Sequence, residues 1–312
     1  MSLTLGIDTS NYTTSVAVFD TEKRGILQSK KLLPVGSGEA GLRQSDAVFA
    51  HVKQLSEVFS GLDVPFKEIS AVGVSVSPRD ADGSYMPCFL VGKMLAECIA
   101  RVLSVPLSLF SHQAGHIAAA AFSAGKTDLL KRRFAAFHVS GGTTEVLLVS
   151  PDKEKILRVE IFGKTLDLNA GQLIDRVGLM LSLNFPAGIA LDRLSLQSNQ
   201  VYNIRPSLRG NDCCLSGAQN KCREMLEKGE KPCDVARLAV DTVRRTVEGM
   251  YRNLIREQGA LPVVFAGGVM SNTIIREYFK STYGDVYFAD PVYSSDNAAG
   301  IALLAGIKEC GE

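Results

Sequence analysis

Apolar and polar positions along this chain switch between a period of two and a period of about 3.6, and each switch marks an element. Near the N-terminus, Leu3 to Asp20 reads as an apolar strand (LTLGID), a small polar turn (TSNYTT) and a second strand (SVAVFD). The same pattern returns at Phe134 to Ser150 as FAAFHV, SGGTT and EVLLVS. Ser10, Thr13, Thr14 and Val16 fall in register with Ser140, Thr143, Thr144 and Val146, residue 10 against residue 140, an offset of 130. An offset shared by the hydroxyl turns and by their apolar flanks is the trace of an internal duplication, and it predicts two similar lobes facing each other.

Between the hairpins the spacing predicts a helix over 39–59, a strand over 71–77, a helix over 84–103 and a strand over 106–110 that leads into a helix carrying His112 and His116. Beyond the second hairpin it predicts helices over 168–183, 189–197, 218–228 and 234–258. A strand over 262–266, a helix over 270–279, a strand over 285–288 and a helix from Asp296 close the chain. This order gives an α/β fold of two lobes, 1–133 and 134–312, with the boundary in 123–133. The last helix, 296–310, is expected to pack back near a cleft between the lobes, where a ligand should sit.

Composition narrows the class. A chain of 312 residues with 46% hydrophobic and 21% charged residues has material for two cores, which argues against a disordered chain. No apolar run approaches the roughly 20 residues of a membrane span, and the first residues carry no basic leader, so a cytoplasmic protein with no membrane partner is expected. Seven cysteines without a C-x-x-C pair read as reduced thiols. A net charge of +1 implies no basic surface of the kind that binds nucleic acid unaided, so an RNA substrate is expected to need helper proteins.

Two features carry chemistry. His112 and His116 are half of the four histidines, and on a helix their spacing stacks both imidazoles on one face. One metal ion can then take both, and two separately packed histidines are the competing reading. Three turns follow strands: Thr9 to Thr14, with Asp8, Thr9 and Ser10 as a first phosphate loop; Ser140 to Thr143; and Ala266-Gly267-Gly268 before a helix. Glycines there let backbone N–H groups approach phosphate oxygens, as in the paired phosphate loops of the actin, sugar kinase and chaperone ATPase architecture. Turns built for geometry alone are the alternative.

The motifs GIDTS, SHQAGH, HVSGGTTE, AGQLIDR, FPAGIALD, CLSGAQNK, FAGGVMSN and SSDNAAGIALLAG, in this order from about Leu3 to Gly306, resemble the tRNA threonylcarbamoyladenosine synthesis proteins (TsaD in bacteria), also labelled glycoproteases. The resemblance implies an actin-like ATPase fold and a divalent metal, iron or zinc, on His112, His116 and Asp296. It implies an adenine nucleotide (ATP, AMP or the threonylcarbamoyl-adenylate) on Val139, Ser140, Gly141, Gly142, Asp175, Gly188, Asp192 and Asn272. The activity implied is transfer of a threonylcarbamoyl group to the adenosine beside a tRNA anticodon. Other members of that pathway are the implied partners, in a homodimer or heterodimer. Asp296 precedes a helical run, so capping that helix is its competing reading; Asn272 could cap its own helix, and Asp175 and Asp192, each followed by an arginine, could be solvated helix charges.

The chain departs from the family pattern at its acids. Where the family's first loop typically reads T-S-C-D-E-T, this chain has Thr9-Ser10-Asn11-Tyr12-Thr13-Thr14. Thr143 stands where histidine is usual, an acidic pair becomes Asp167-Leu168, and a P-G-L-x-G loop is replaced by Pro78 to Gly83, whose Asp80 and Asp82 are candidate substitutes. A nucleotide- and metal-binding paralogue without the activity, acting as partner or regulator or passing a carbamoyl group to another acceptor, is therefore the alternative. A metallopeptidase fits less well, because Gln113 occupies the place of a glutamate base beside the first histidine.

Overall fold

The computed structural model describes residues 2–10, 12–34, 42–293 and 298–311. In chain order the elements are β1 (Leu3–Thr9), β2 (Thr13–Asp20), β3 (Gly25–Leu32), α1 (Gln44–Ser60), β4 (Ile69–Ser77), α2 (Phe89–Leu103), β5 (Leu107–Ser111) and α3 (His112–Ser123). There follow β6 (Phe134–Val139), β7 (Thr144–Asp152), β8 (Ile156–Lys164), α4 (Ala170–Met180), α5 (Gly188–Ser195), the two-residue strands β9 (Leu208–Arg209) and β10 (Asp212–Cys213), α6 (Ser216–Glu227) and α7 (Pro232–Gln258). Last come β11 (Val263–Ala266), α8 (Thr273–Thr282), β12 (Val286–Phe288) and α9 (Ala298–Cys310).

The chain divides into two compact units, 1–131 with 150–159 and 292–312, and 132–149 with 160–291. The first contains a five-stranded sheet ordered β3-β2-β1-β4-β5, and the second sheet is ordered β12-β11-β6-β7-β8. These are one topology written twice: an antiparallel meander, then a parallel strand beside its first member, then another. Register repeats with it. Thr4 pairs with Phe19 and Thr9 with Thr14, while 130 residues later Phe134 pairs with Val149 and Val139 with Thr144. The duplication therefore extends to individual backbone partners.

β3 and β8 lie outside the strands expected from the sequence. β3, GILQSKKL, is an edge strand with mostly half-exposed or exposed residues, so its apolar alternation is too weak to mark it. α1 begins at Gln44, and the expected start of that helix, 39–41, lies outside the described residues. α9 belongs to the first unit, a different division from the one the sequence suggests: its small residues pack on β1, β4 and α3. Gly6 in β1 makes that close approach possible, because a Cβ there would meet the Ala302 backbone.

The first core gathers Leu5, Ile7, Val16, Val72 and Val74 from the sheet with Leu55, Val58 and Val91 from α1 and α2. The second is built on α7, a 27-residue helix that starts with Pro232 at its first turn and buries Leu238, Val243, Val247, Met250 and Leu254 against Phe137, Phe265 and Phe279. Cys213 and Cys222 are buried in it, and burial pushes both thiols up to about 12. All seven cysteines are free thiols. Among the described residues no helix is long and apolar enough to cross a membrane.

Candidate functional site

The first unit concentrates its polar side chains where β1, β4 and β5 end. Ser111 closes β5 and caps α3, its Oγ accepting from the Ala114 N–H at 3.2 Å. The cap fixes His112 as the first helical residue and places His116 one turn on. Their Nε2 atoms face each other at 2.8 Å, with ring centroids 4.3 Å apart and planes at 79°. On its other side the His112 ring presents Nδ1 to Asp8, 3.1 Å from each carboxylate oxygen. Asp8 also accepts from the Ser75 hydroxyl and is wholly buried. Burial pushes its carboxyl up; the charge of His112 and hydrogen bonds from His112, Ser75 and Ser10 outweigh this and hold it below the ordinary carboxylate range.

The rest of the predicted first phosphate loop is also turned inward. Thr9 Oγ1 donates to the Cys88 carbonyl at 3.0 Å and accepts from the Gly92 N–H at 3.1 Å. The Ser10 carbonyl accepts from His51 Nε2 at 2.8 Å. Of the two loop acids, Asp80 accepts from Ser111 Oγ at 3.0 Å and pairs with Lys155 at 3.1 Å, so it supports the cap of α3; Asp82 is exposed.

Two imidazole nitrogens with an outer carboxylate on the first ring make a donor set suited to a divalent cation of the zinc or iron type. Nitrogens 2.8 Å apart can both lie about 2.1 Å from one ion. Asp296, the third expected ligand, lies outside the described residues, and among the described residues no third histidine, cysteine or carboxylate completes a metal cluster.

The second unit holds a cavity of about 450 Å³. Of the expected nucleotide residues, Gly141, Asp175, Gly188, Asp192, Gly268 and Asn272 line it, brought together from the β6–β7 turn, α4, α5 and the segment after β11. Val139, Ser140, Gly142 and Gly267 build the adjoining turns. Ser140 shapes the first of these, its N–H donating to the Thr143 carbonyl at 2.7 Å and its hydroxyl accepting from Gly142 and Thr143 N–H. Gly267 must be glycine: its φ is +95°, and a Cβ would collide with the Val139 carbonyl.

The polar residues of the cavity are unequally engaged. Asn272 caps α8, accepting from the Ile275 N–H at 3.1 Å, and donates Nδ2 to Asp192 at 2.7 Å. Asp192 also accepts from the Thr273 hydroxyl at 2.8 Å and its N–H at 3.2 Å, so both its oxygens serve the start of α8. Asp175 takes the Ala187 N–H at 2.8 Å on Oδ1 alone. The walls are apolar, from Ile174, Pro186, Ile189, Leu196 and Val269. Sequence reasoning missed these walls, because helix periodicity reports a buried face without saying what that face encloses. Asp167 is engaged elsewhere: it accepts from Leu215 and Ser216 N–H and the Ser216 hydroxyl, capping α6.

A family model described as TsaD, tRNA N6-adenosine threonylcarbamoyltransferase, matches residues 46–303. The chain belongs to this family. Solved structures agree on the fold. Component A of (R)-2-hydroxyglutaryl-CoA dehydratase from Acidaminococcus fermentans is 16% identical, with a TM-score of 0.56 over 99% of this chain and 100% of its own. The activator of 2-hydroxyisocaproyl-CoA dehydratase from Clostridium difficile, with bound ADPNP, is 14% identical (TM-score 0.55; 99% and 96%). Full-length HypF in a phosphate- and nucleotide-bound form is 13% identical (TM-score 0.61), and the match covers 99% of this chain and 55% of HypF. The fold is that of the actin-like ATPases, with two mixed five-stranded sheets of identical order.

Proposed function

We propose that this protein transfers a threonylcarbamoyl group from its adenylate to the exocyclic amine of the adenosine beside a tRNA anticodon, using a divalent metal. Family membership supports the reaction class. The observation that carries the reading is the convergence of six expected nucleotide residues on one cavity, whose volume and apolar walls suit an adenosine.

In this reading the Asp175 oxygen not taken by Ala187 accepts from a ribose hydroxyl, and the apolar walls take the base. The exposed, side-chain-free turn at Gly141 and Gly142 admits the phosphate. Asp192 and Asn272 fix the start of α8 beside it. In the transfer, the amine nitrogen bonds to the carbamoyl carbon, the bond from that carbon to the phosphate oxygen breaks, and AMP leaves with the electron pair while the amine proton passes to water. A divalent ion, when bound, would be held by His112 and His116 and would supply Lewis-acid chemistry.

The test is rescue of the modification in cells lacking their own enzyme, read by mass spectrometry of tRNA nucleosides. The wild-type chain, supplied with the pathway's other proteins, restores the modified adenosine; His112→Ala and Asp175→Ala each lower it at least tenfold. Absence of rescue, together with intact adenylate and metal binding, establishes the binding paralogue instead. The replacement of the family's acids by Tyr12 and Thr13 favours that second reading.

A further inference from the structure

We propose that Asp8 is a positioning residue for His112: its sealed carboxylate holds the ring by Nδ1 and so reserves Nε2 for a divalent cation. The inference rests on the metal-binding half of the function proposed above and assigns Asp8 a role other than phosphate contact.

Three observations carry it. First, the Asp8 carboxylate is 0% exposed, so neither a phosphate nor a nucleotide-bound ion reaches it without rearrangement. Second, both its oxygens lie 3.1 Å from His112 Nδ1. A carboxylate offers acceptors alone, so the proton sits on Nδ1, and a neutral imidazole then keeps its lone pair at Nε2. That nitrogen faces His116 Nε2 at 2.8 Å. Third, a buried carboxylate is costly unless charge and hydrogen bonds compensate it. Among the described residues no lysine or arginine pairs with Asp8; His112 Nδ1–H and the Ser75 and Ser10 hydroxyls are the donors that face it.

The duplication supplies a control. The residue equivalent to Asp8 in the second hairpin is His138, so the hairpin scaffold itself does not demand a carboxylate here. The acid belongs to the first unit, where a helix delivers His112 to meet it. Such carboxylate–histidine pairs orient the ring, raise its basicity and add negative charge close to the cation.

The experiment uses the full chain, with Zn²⁺ alone as probe. Affinity is read by competition with a chromophoric chelator, the His112 ring nitrogens by ¹⁵N NMR, and folding by thermal denaturation, for the wild type, Asp8→Asn and Ser75→Ala. The wild type is expected to bind one Zn²⁺ through His112 Nε2 with Nδ1 protonated. Asp8→Asn, which keeps the shape and removes the charge, should bind about 10- to 100-fold more weakly with both histidines intact. Ser75→Ala, which loosens the carboxylate without touching the histidines, should show a smaller loss in the same direction and decides the matter should Asp8→Asn not fold. Unchanged Zn²⁺ affinity and unchanged His112 nitrogen shifts in a folded Asp8→Asn, or in Ser75→Ala where that variant decides, overturn the proposal. A wild-type chain that binds no Zn²⁺ overturns the metal half of the functional reading itself, a separate and recognisable outcome.

Discussion

The turns after β1 and β6 have the same backbone pairing and opposite uses. In both, the last strand pair lies across the turn, Thr9 with Thr14 and Val139 with Thr144. The first copy spends its polar groups on the protein: the Asp8 side chain on His112 and Ser75, the Thr9 side chain on Cys88 and Gly92, and the Ser10 carbonyl on His51. In the second copy, glycines at 141 and 142 replace Asn11 and Tyr12, both are exposed, and the turn opens toward a cavity. A duplicated scaffold thus fixes where backbone groups lie; what the turn can bind depends on the few residues that differ between the copies.

One difference in the strand interior gives the largest expected effect. Gly6 faces α9 so closely that a Cβ would meet the Ala302 backbone, while the equivalent Ala136 carries a Cβ within its own sheet. Gly6→Ala, which makes the first copy match the second, should cost about 1–3 kcal/mol through overpacking. The reverse change, Ala136→Gly, should cost about 0.5–1 kcal/mol through backbone freedom and lost packing. Chemical denaturation of the two variants checks the order; equal losses would mean that α9 yields easily.

Converting the second turn into the first should be felt in binding. A Cβ at Gly141 or Gly142 meets nothing within 4 Å, so the double variant Gly141→Asn/Gly142→Tyr should fold with an unchanged melting temperature. It should lose at least tenfold in affinity for AMP, about 1.4 kcal/mol, because side chains then occupy the phosphate approach. Calorimetric titration with AMP reads this directly, and wild-type affinity in the double variant would remove the turn from the nucleotide site.

How much of this was legible in the sequence differs between the copies for a physical reason. The hairpins, their offset and the histidine spacing are local patterns, and the structure reproduces each register. The partner of Asp8 is not local: His112 lies 104 residues away, and nothing near either residue announces the pair. Asp192 is likewise joined to Asn272 across 80 residues, where sequence alone offers two isolated polar residues. Edge strands such as β3 escape because their exposed side chains blur the alternation.

Asn272 separates capping from binding. Asn272→Ala removes the cap of α8 and one donor to Asp192, and should cost about 1 kcal/mol of stability. Asn272→Asp keeps the capping oxygen but sets a carboxylate against Asp192, so it should bind AMP worse than its stability suggests. A variant pair in which affinity follows stability would make Asn272 purely structural.

The smallest effect concerns a carboxylate that contrasts with Asp8 in exposure. Asp167 is exposed at the start of α6. What burial it has pushes its carboxyl up, and donors from the Ser216 hydroxyl and the Leu215, Leu168 and Ser216 N–H groups more than compensate, leaving it below the usual value of 3.8. A carboxyl lowered in the folded state contributes stability that is complete above its unfolded pKa and is lost as pH falls through the folded value. The wild type should therefore lose more stability than Asp167→Asn as pH falls below about 4, and the two should differ by a constant amount above about pH 6. Urea midpoints measured across that range decide it. A gap that stays constant down to pH 3 would show that the capping hydrogen bonds hold α6 without help from the charge, and exposure alone would then distinguish Asp167 from the sealed Asp8.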